Sequence, residues 1–271
     1  MSELGKVYLV GAGPGAADLI TVRGAALLAK ADVVLHDALV EPEMLALCPQ
    51  AKQIAVGKRC GKLSTSQRFI NKRLVDAAHT YQTVVRLKGG DPMVFGRADE
   101  ELAALEKAGV AYEIVPGITA AQAGAASIKR SLTLRGVARS IAFVTHAKAN
   151  SDDLSSEQTF VNPTADTLVY YMARAHAVEI ALNLIKGGRS KLTPVHLLES
   201  ISTPRERTWA LTLGELANQT KTTLEDRSAT WQSSDQPLLV LIGDALAQRT
   251  SAQGNDGFQD RFIFTNCQRS A

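Results

Sequence analysis

Residues Thr83-Val84-Val85-Arg86-Leu87-Lys88-Gly89-Gly90-Asp91-Pro92-Met93-Val94-Phe95-Gly96-Arg97 carry the chain from a short apolar strand through a glycine turn to the start of a helix. Thr83–Leu87 is rich in β-branched residues and reads as a strand. Lys88-Gly89-Gly90-Asp91-Pro92 stops it. The following segment, 98–108, places Leu102 and Leu105 on one helical face and ends before Gly109. A turn just past the carboxyl end of a strand is where open α/β sheets bind ligands. Two glycines followed by an acid suit a ligand whose amine or hydroxyl donors lie against bare backbone. The competing reading makes Asp91 a turn cap and Arg97–Glu100, three residues apart at a helix start, a surface ion pair.

The same alternation extends in both directions. Upstream, Val7–Val10 runs into Gly11-Ala12-Gly13-Pro14-Gly15, Val33–Leu35 into His36-Asp37, and Gln53–Val56 forms a third strand. Helical patterns over Thr21–Ala31 and Ser64–Thr80 separate them. Downstream, Tyr112–Val115 runs into Pro116-Gly117, and Thr119 is placed to cap a helix over Ala120–Ile128. Strands alternating with such helices predict a parallel or mostly parallel sheet covered by helices. A second α/β unit follows, with strands at Ser140–Thr145, Thr167–Tyr171, Val195–Glu199, Thr208–Thr212 and Leu238–Gly243 and a helix at His176–Lys186. Residues 148–166 are polar and read as a loop. The expected organisation is α/β throughout: an N-terminal domain over 1–117, a C-terminal domain over 118–246 and a loosely ordered tail over 247–271.

Composition narrows the function. The 271 residues are 45% hydrophobic and 21% charged, the balance of a globular protein. No apolar run approaches the ~20 residues that cross a bilayer, and the first residues lack a signal-peptide core, so no membrane partner is expected. A net charge of +3 and 5% aromatics argue against nucleic acid. Cys48, Cys60 and Cys267 are few and scattered, as in a reducing cytoplasm. The five histidines show no metal-ligand spacing, so no metal is expected.

The first glycine loop fits neither common phosphate motif. No Gly-Lys-Ser/Thr follows it, which excludes a P-loop. Ala16 stands where the dinucleotide fingerprint has glycine, Pro14 removes a donor, and Asp18 would repel phosphate.

In their order and intervals, the three glycine loops resemble those of the tetrapyrrole methylase family. The likeness runs from about Val7 to Gly243 and includes Asp37-Ala38-Leu39-Val40, Val56-Gly57-Lys58-Arg59, Arg86 to Arg97, Val115 to Ala121, Leu168-Val169-Tyr170-Tyr171-Met172 and Leu239 to Gly243. It implies two α/β domains with an active-site cleft between them, a homodimer, and S-adenosylmethionine as methyl donor, with S-adenosylhomocysteine as product. It further implies C-methylation of uroporphyrinogen III at C2 and C7 to give precorrin-2. A later precorrin methylase of the same superfamily is the alternative, and a nicotinamide-dependent oxidoreductase a more distant one.

By position, the resemblance assigns cofactor contacts to Pro14, Gly89, Gly90, Asp91, Val94, Phe95, Thr119, Ala120, Met172, Ala173 and Ile201. Asp37 and Lys58 match a proton acceptor and donor, and Arg97 and Glu100 match catalytic polar residues. Arg59, Arg97, Arg135 and Met172 match substrate contacts. Arginines suit an octacarboxylate substrate because each guanidinium binds a carboxylate bidentately. The sequence departs from the family pattern at Ala173 and at Ser200-Ile201, where relatives have glycine and Asn-Gly. It departs again at Lys129-Arg130 and at Ala98-Asp99. Ile201 can supply its expected backbone contact only from an ordinary φ.

Overall fold

The computed structural model describes residues 4–57, 67–145, 163–219 and 231–248. Lys58, Arg59 and residues 249–271 of the expected tail lie outside them. The chain divides into two compact units between Ala123 and Gly124.

The first unit holds a five-stranded, wholly parallel sheet: β1 (Lys6–Gly11), β2 (Val33–His36), β3 (Lys52–Ala55), β4 (Thr83–Lys88) and β5 (Tyr112–Val115), in the order β3-β2-β4-β1-β5. Strands of such a sheet are covered on both faces and therefore read as nearly continuous apolar runs. Val7, Leu9, Val33 and Leu35 pack on one face with Leu74 and Leu105. Val10, Val34, Val85 and Leu87 pack on the other with Leu28 and Met44. Each side chain of this size taken from water contributes about 1.5–3 kcal/mol.

The helices are α1 (Val22–Leu28), α2 (Pro42–Leu45), α3 (Gln67–Thr80), α4 (Ala98–Lys107) and α5 (Ala120–Ser127). In α1, Thr21 Oγ1 accepts the Gly24 N–H at 3.1 Å and so caps the first turn. The first turn of α4 carries Asp99, Glu100 and Glu101 and its last turn Lys107, the charge order the helix dipole favours. Gly109, at φ +67°, closes α4 in the left-handed conformation, and its N–H donates to the Glu106 carbonyl.

The second unit has a mixed sheet: β6 (Ile141–Thr145), β7 (Thr167–Tyr171), β8 (Pro194–Glu199), β9 (Arg207–Thr212) and β10 (Leu238–Ile242), in the order β6-β7-β10-β8-β9. Only β6 and β7 run parallel; the other pairs are antiparallel. Helices α6 (Ala177–Lys186) and α7 (Leu213–Ala217) bury Ile180, Leu184, Leu213 and Leu216 against Tyr170, Leu197 and Val240. α7 opens with a capping box between Thr212 and Glu215. None of the helices among the described residues is long and apolar enough to cross a membrane.

Candidate functional site

Parallel pairing of β4, β1 and β5 brings their three carboxyl ends side by side. The three glycine loops therefore meet, and they meet backbone on backbone. A Cβ on Gly11 would lie 2.6 Å from Gly117 Cα and 2.7 Å from the Gly90 carbonyl oxygen. A Cβ on Gly117 would lie 2.3 Å from that oxygen. Gly13 and Gly90 pair as a short antiparallel bridge, the Gly90 N–H donating to the Gly13 carbonyl at 2.7 Å. Both occupy positive φ, at +78° and +68°. Asp91 ties two of the loops together: Oδ1 accepts the Met93 N–H at 2.8 Å and Oδ2 the Gly117 N–H at 2.9 Å. The turn-capping role and a place in a ligand loop thus coexist in one carboxylate.

Gly89 differs from these crossings. A Cβ there would meet only the Leu39 Cβ, at 3.7 Å, which is ordinary contact. Nothing in the described chain requires glycine at 89, and the open side of its backbone has room for a ligand to approach. Pro14 sits in the bend after Gly13. Thr119 is buried, and its carbonyl accepts the Gln122 and Ala123 N–H groups that begin α5, with Ala120 half-buried beside it. The expected residues Pro14, Gly89, Gly90, Asp91, Thr119 and Ala120 therefore lie on loops that the sheet draws together.

The segment after Asp91 is tightly shaped. Phe95 and Arg97 both hold φ near +52°, and a Cβ on the intervening Gly96 would lie 2.4 Å from the Pro92 carbonyl oxygen. Val94 is half-buried, Phe95 exposed. Arg97, at the start of α4, grips Glu100 bidentately, with Nε to Oε1 at 2.7 Å and Nη2 to Oε2 at 2.8 Å. Both side chains are about half exposed, at 50% and 47%, so the pair is held by less than about 1 kcal/mol.

Asp37 directly follows β2, and its Oδ1 accepts Arg86 Nη2 at 2.5 Å. Arg86 is 2% exposed and Glu101 0%. Arg86 Nε donates to Glu101 Oε1 at 3.0 Å, and Lys88 Nζ to Glu101 Oε2 at 2.9 Å. Burial works to lower the Arg86 pKa, but Asp37 and Glu101 outweigh it and hold the guanidinium above its ordinary value. Burial, with the Arg86 charge beside it, pushes the Lys88 ammonium below its ordinary value despite Glu101. No motif in the sequence marks Arg86, Lys88 or Glu101 for such a role. One signal was present: an arginine in a strand otherwise made of Val84, Val85 and Leu87, in a sheet covered on both faces, has to find a buried partner.

In the second unit, Met172 directly follows β7 at φ +54° and is 55% exposed, while Ala173 is fully buried at φ −92°. Ala173 thus needs no glycine. After β8, Ser200 and Ser202 take positive φ and Ile201 does not, which meets the condition set for it. The turn is held by Ser202 N–H donating to Glu206 Oε2 at 2.6 Å and by Glu206 accepting the Ser127 hydroxyl. Arg174 bonds Glu199 at 2.5 Å and the Gln236 carbonyl, pinning the ends of β7 and β8 and the approach to β10. Ser200 Oγ is buried without a hydrogen-bond partner among the described residues. Arg135 lies exposed in the tight turn between Leu134 and Ala138. With Arg139 and Asp166 it lines an open depression of about 530 Å³. Among the described residues, no group of three or more His, Cys, Asp or Glu is placed to hold a metal ion.

Glycine loops at the carboxyl ends of a parallel sheet, with a buried ion network beneath them, define an α/β ligand-binding enzyme rather than a structural module. The model for the tetrapyrrole (corrin/porphyrin) methylases matches residues 6–217, and the chain belongs to that family. It is 43% identical over 212 residues to a uroporphyrinogen-III C-methyltransferase of Pseudomonas aeruginosa, covering 78% of this chain and 86% of that one. It is 41% identical over 261 residues to a siroheme synthase of Pseudomonas fluorescens, covering 96% of this chain but 54% of the relative. The chain thus spans about half the length of the siroheme synthases it matches. Its structure superposes on the uroporphyrin-III C-methyltransferase of Thermus thermophilus in complex with S-adenosylhomocysteine, with a TM-score of 0.70 and 35% identity over 89% of this chain and 99% of that one.

Proposed function

We propose that the chain is an S-adenosylmethionine-dependent C-methyltransferase that methylates uroporphyrinogen III at C2 and C7, giving precorrin-2 and S-adenosylhomocysteine. The observation that carries this reading is the convergence of Gly11, Gly90 and Gly117 beside an unobstructed Gly89. The crossings make the floor of a site rigid while Gly89 leaves bare backbone facing a ligand, as a cofactor rich in amine and hydroxyl donors requires. The P. aeruginosa relative supports the choice of reaction. We extend the reading to a homodimer, the assembly that the family resemblance implies, working in the cytoplasm.

Pro14, Gly89, Gly90, Asp91, Val94, Phe95, Thr119 and Ala120 hold the cofactor in this reading, and the family resemblance adds Met172, Ala173 and Ile201. The cofactor, when bound, supplies a methyl group already activated on a sulfonium. The protein's own task is to align a pyrrole carbon with the methyl group and then to take away the ring or bridge proton that must leave. Arg97 is suited to alignment. Its exposed pair with Glu100 is weak enough to exchange for a substrate carboxylate, with the same bidentate geometry. That exchange frees Glu100, which with Asp37 is one of two carboxylates placed to accept a proton. Arg135 and Arg59 add charge for the remaining carboxylates, and Lys58 is the donor.

Incubating the purified protein anaerobically with uroporphyrinogen III and methyl-labelled S-adenosylmethionine tests the reading. Two labelled methyl groups per tetrapyrrole are expected. Absence of label from uroporphyrinogen III, or transfer only to a later precorrin, overturns it.

A further inference from the structure

Three ionised side chains lie almost wholly inside the first unit: Arg86 at 2% exposure, Lys88 at 3% and Glu101 at 0%. Taking such ions out of water costs more than their mutual attraction usually returns, and apolar residues of the same volume commonly serve stability better. Stability is therefore a poor reason for the cluster, and its geometry offers a better one. Every arm of the Arg86 guanidinium is occupied. Nε donates to Glu101 at 3.0 Å, Nη1 to the Leu87 and Leu35 carbonyls at 3.1 and 3.4 Å, and Nη2 to Asp37. Glu101 is fixed in turn by Lys88 at 2.9 Å and by Gln67 Nε2 at 3.4 Å. The far end of this chain of contacts is Asp37, whose side chain is 29% exposed and whose own N–H is held by the Leu87 carbonyl.

One oxygen of Asp37 is thus clamped from behind, while Oδ2 accepts no hydrogen bond from the described residues. A carboxylate clamped through one oxygen is held in one orientation, and its other oxygen keeps its capacity to accept a hydrogen bond or a proton. Planarity matters here: a lysine at 86 would keep the charge but could not grip Glu101, two carbonyls and Asp37 together.

We propose that Glu101 and Arg86 are positioning residues for Asp37: the buried Glu101 locks the Arg86 fork, and Arg86 fixes the Asp37 carboxylate with its second oxygen free for the reacting tetrapyrrole. The inference rests on the placement of Asp37 at the reacting site in the function proposed above. It concerns α4 and β4 acting at a distance on the end of β2, and neither Arg86 nor Glu101 touches substrate in it.

A double-mutant cycle tests it. Asp37→Asn, Glu101→Gln and the double variant are compared with the wild type for kcat and KM in uroporphyrinogen III methylation. Thermal unfolding and S-adenosylhomocysteine affinity are measured alongside. Glu101→Gln keeps the volume and an acceptor for Arg86 but removes the charge. It is expected to lower kcat about tenfold, with cofactor affinity within twofold of wild type. In the Asp37→Asn background the same change is expected to cost less than twofold, because its effect is transmitted through Asp37. Losses that multiply, a Glu101→Gln enzyme with wild-type kcat, or an Asp37→Asn enzyme with wild-type kcat each overturn the inference. If Glu101→Gln does not fold, Arg86→Lys takes its place in the cycle with the same expectations. A wild type that leaves uroporphyrinogen III unmethylated overturns the proposed function and this inference with it, whereas an active wild type with multiplying losses overturns the inference alone.

Discussion

Gly89→Ala and Gly117→Ala separate the two kinds of glycine in the site. At 117 the new Cβ would sit 2.3 Å from the Gly90 carbonyl oxygen and 2.8 Å from Gly11 Cα. Both obstacles are backbone, so two loops must move apart, and overpacking of that kind costs about 1–3 kcal/mol. At 89 the Cβ meets Leu39 at 3.7 Å, and no positive φ has to be surrendered. Alanine there should leave the fold unharmed, or stabilise it by about 0.4–1 kcal/mol through the unfolded chain. The methyl would occupy the space into which the cofactor is placed. A tenfold or greater loss of S-adenosylhomocysteine affinity is expected, about 1.4 kcal/mol or more. Urea unfolding and titration calorimetry on both variants read the two quantities independently. A Gly89→Ala protein that binds S-adenosylhomocysteine like the wild type would refute the idea that a ligand lies against residue 89. A Gly117→Ala protein of unchanged stability would refute the backbone crossing.

Arg97→Ala is expected to abolish methylation of uroporphyrinogen III while leaving S-adenosylhomocysteine affinity within a factor of about two to three; equal loss of both in kinetics and calorimetry would contradict its role in holding substrate. Tyr170 is fully buried, its hydroxyl has no partner among the described residues, and burial pushes its pKa up to about 12. Tyr170→Phe removes an unpaid desolvation and should be neutral or stabilising by up to about 2 kcal/mol in urea unfolding. Burial holds the His196 pKa below its ordinary value of 6.5, with the ring nitrogen Nε2 bonded to the Leu246 carbonyl. The unfolded chain therefore binds the proton first as pH falls below about 6.5, and the folded state loses up to about 1.4 kcal/mol per pH unit across that window. His196→Gln should flatten the fall in stability between pH 7.5 and 5.5, and an unchanged slope would count against it.

The parts of the fold legible in the sequence are those written in local signals. Thr83–Leu87 followed by Gly89-Gly90 has the period, the β-branched residues and the stop of a buried strand, and it forms β4. Leu102, Leu105 and Gly109 place α4 and its end for the same reason. The antiparallel pairing of the second sheet had a weaker signal. The seven residues 200–206 between β8 and β9 are too few for a crossover and force a hairpin-like return. The buried cluster was hidden because burial of a charge is a tertiary fact. Glu101 stands in the run Asp99-Glu100-Glu101, which reads as a solvated helix start, yet Glu100 is exposed and Glu101 completely buried. Asp37 was visible as the acid ending a strand, but the Arg86 contact that holds it depends on the register of β2 against β4. The left-handed Ser200 and Ser202 were equally hard to read, since serine does not favour that conformation and the contacts around it are tertiary: Ser200 N–H bonds the Pro237 carbonyl and Ser202 N–H bonds Glu206.

The most direct measurement is a crystal structure of this protein with S-adenosylhomocysteine. The account predicts the ligand seated at the carboxyl ends of β1, β4 and β5, in van der Waals contact with the backbone of Gly89 and Gly90. Ligand bound away from those loops, or no binding at millimolar concentration, would contradict it.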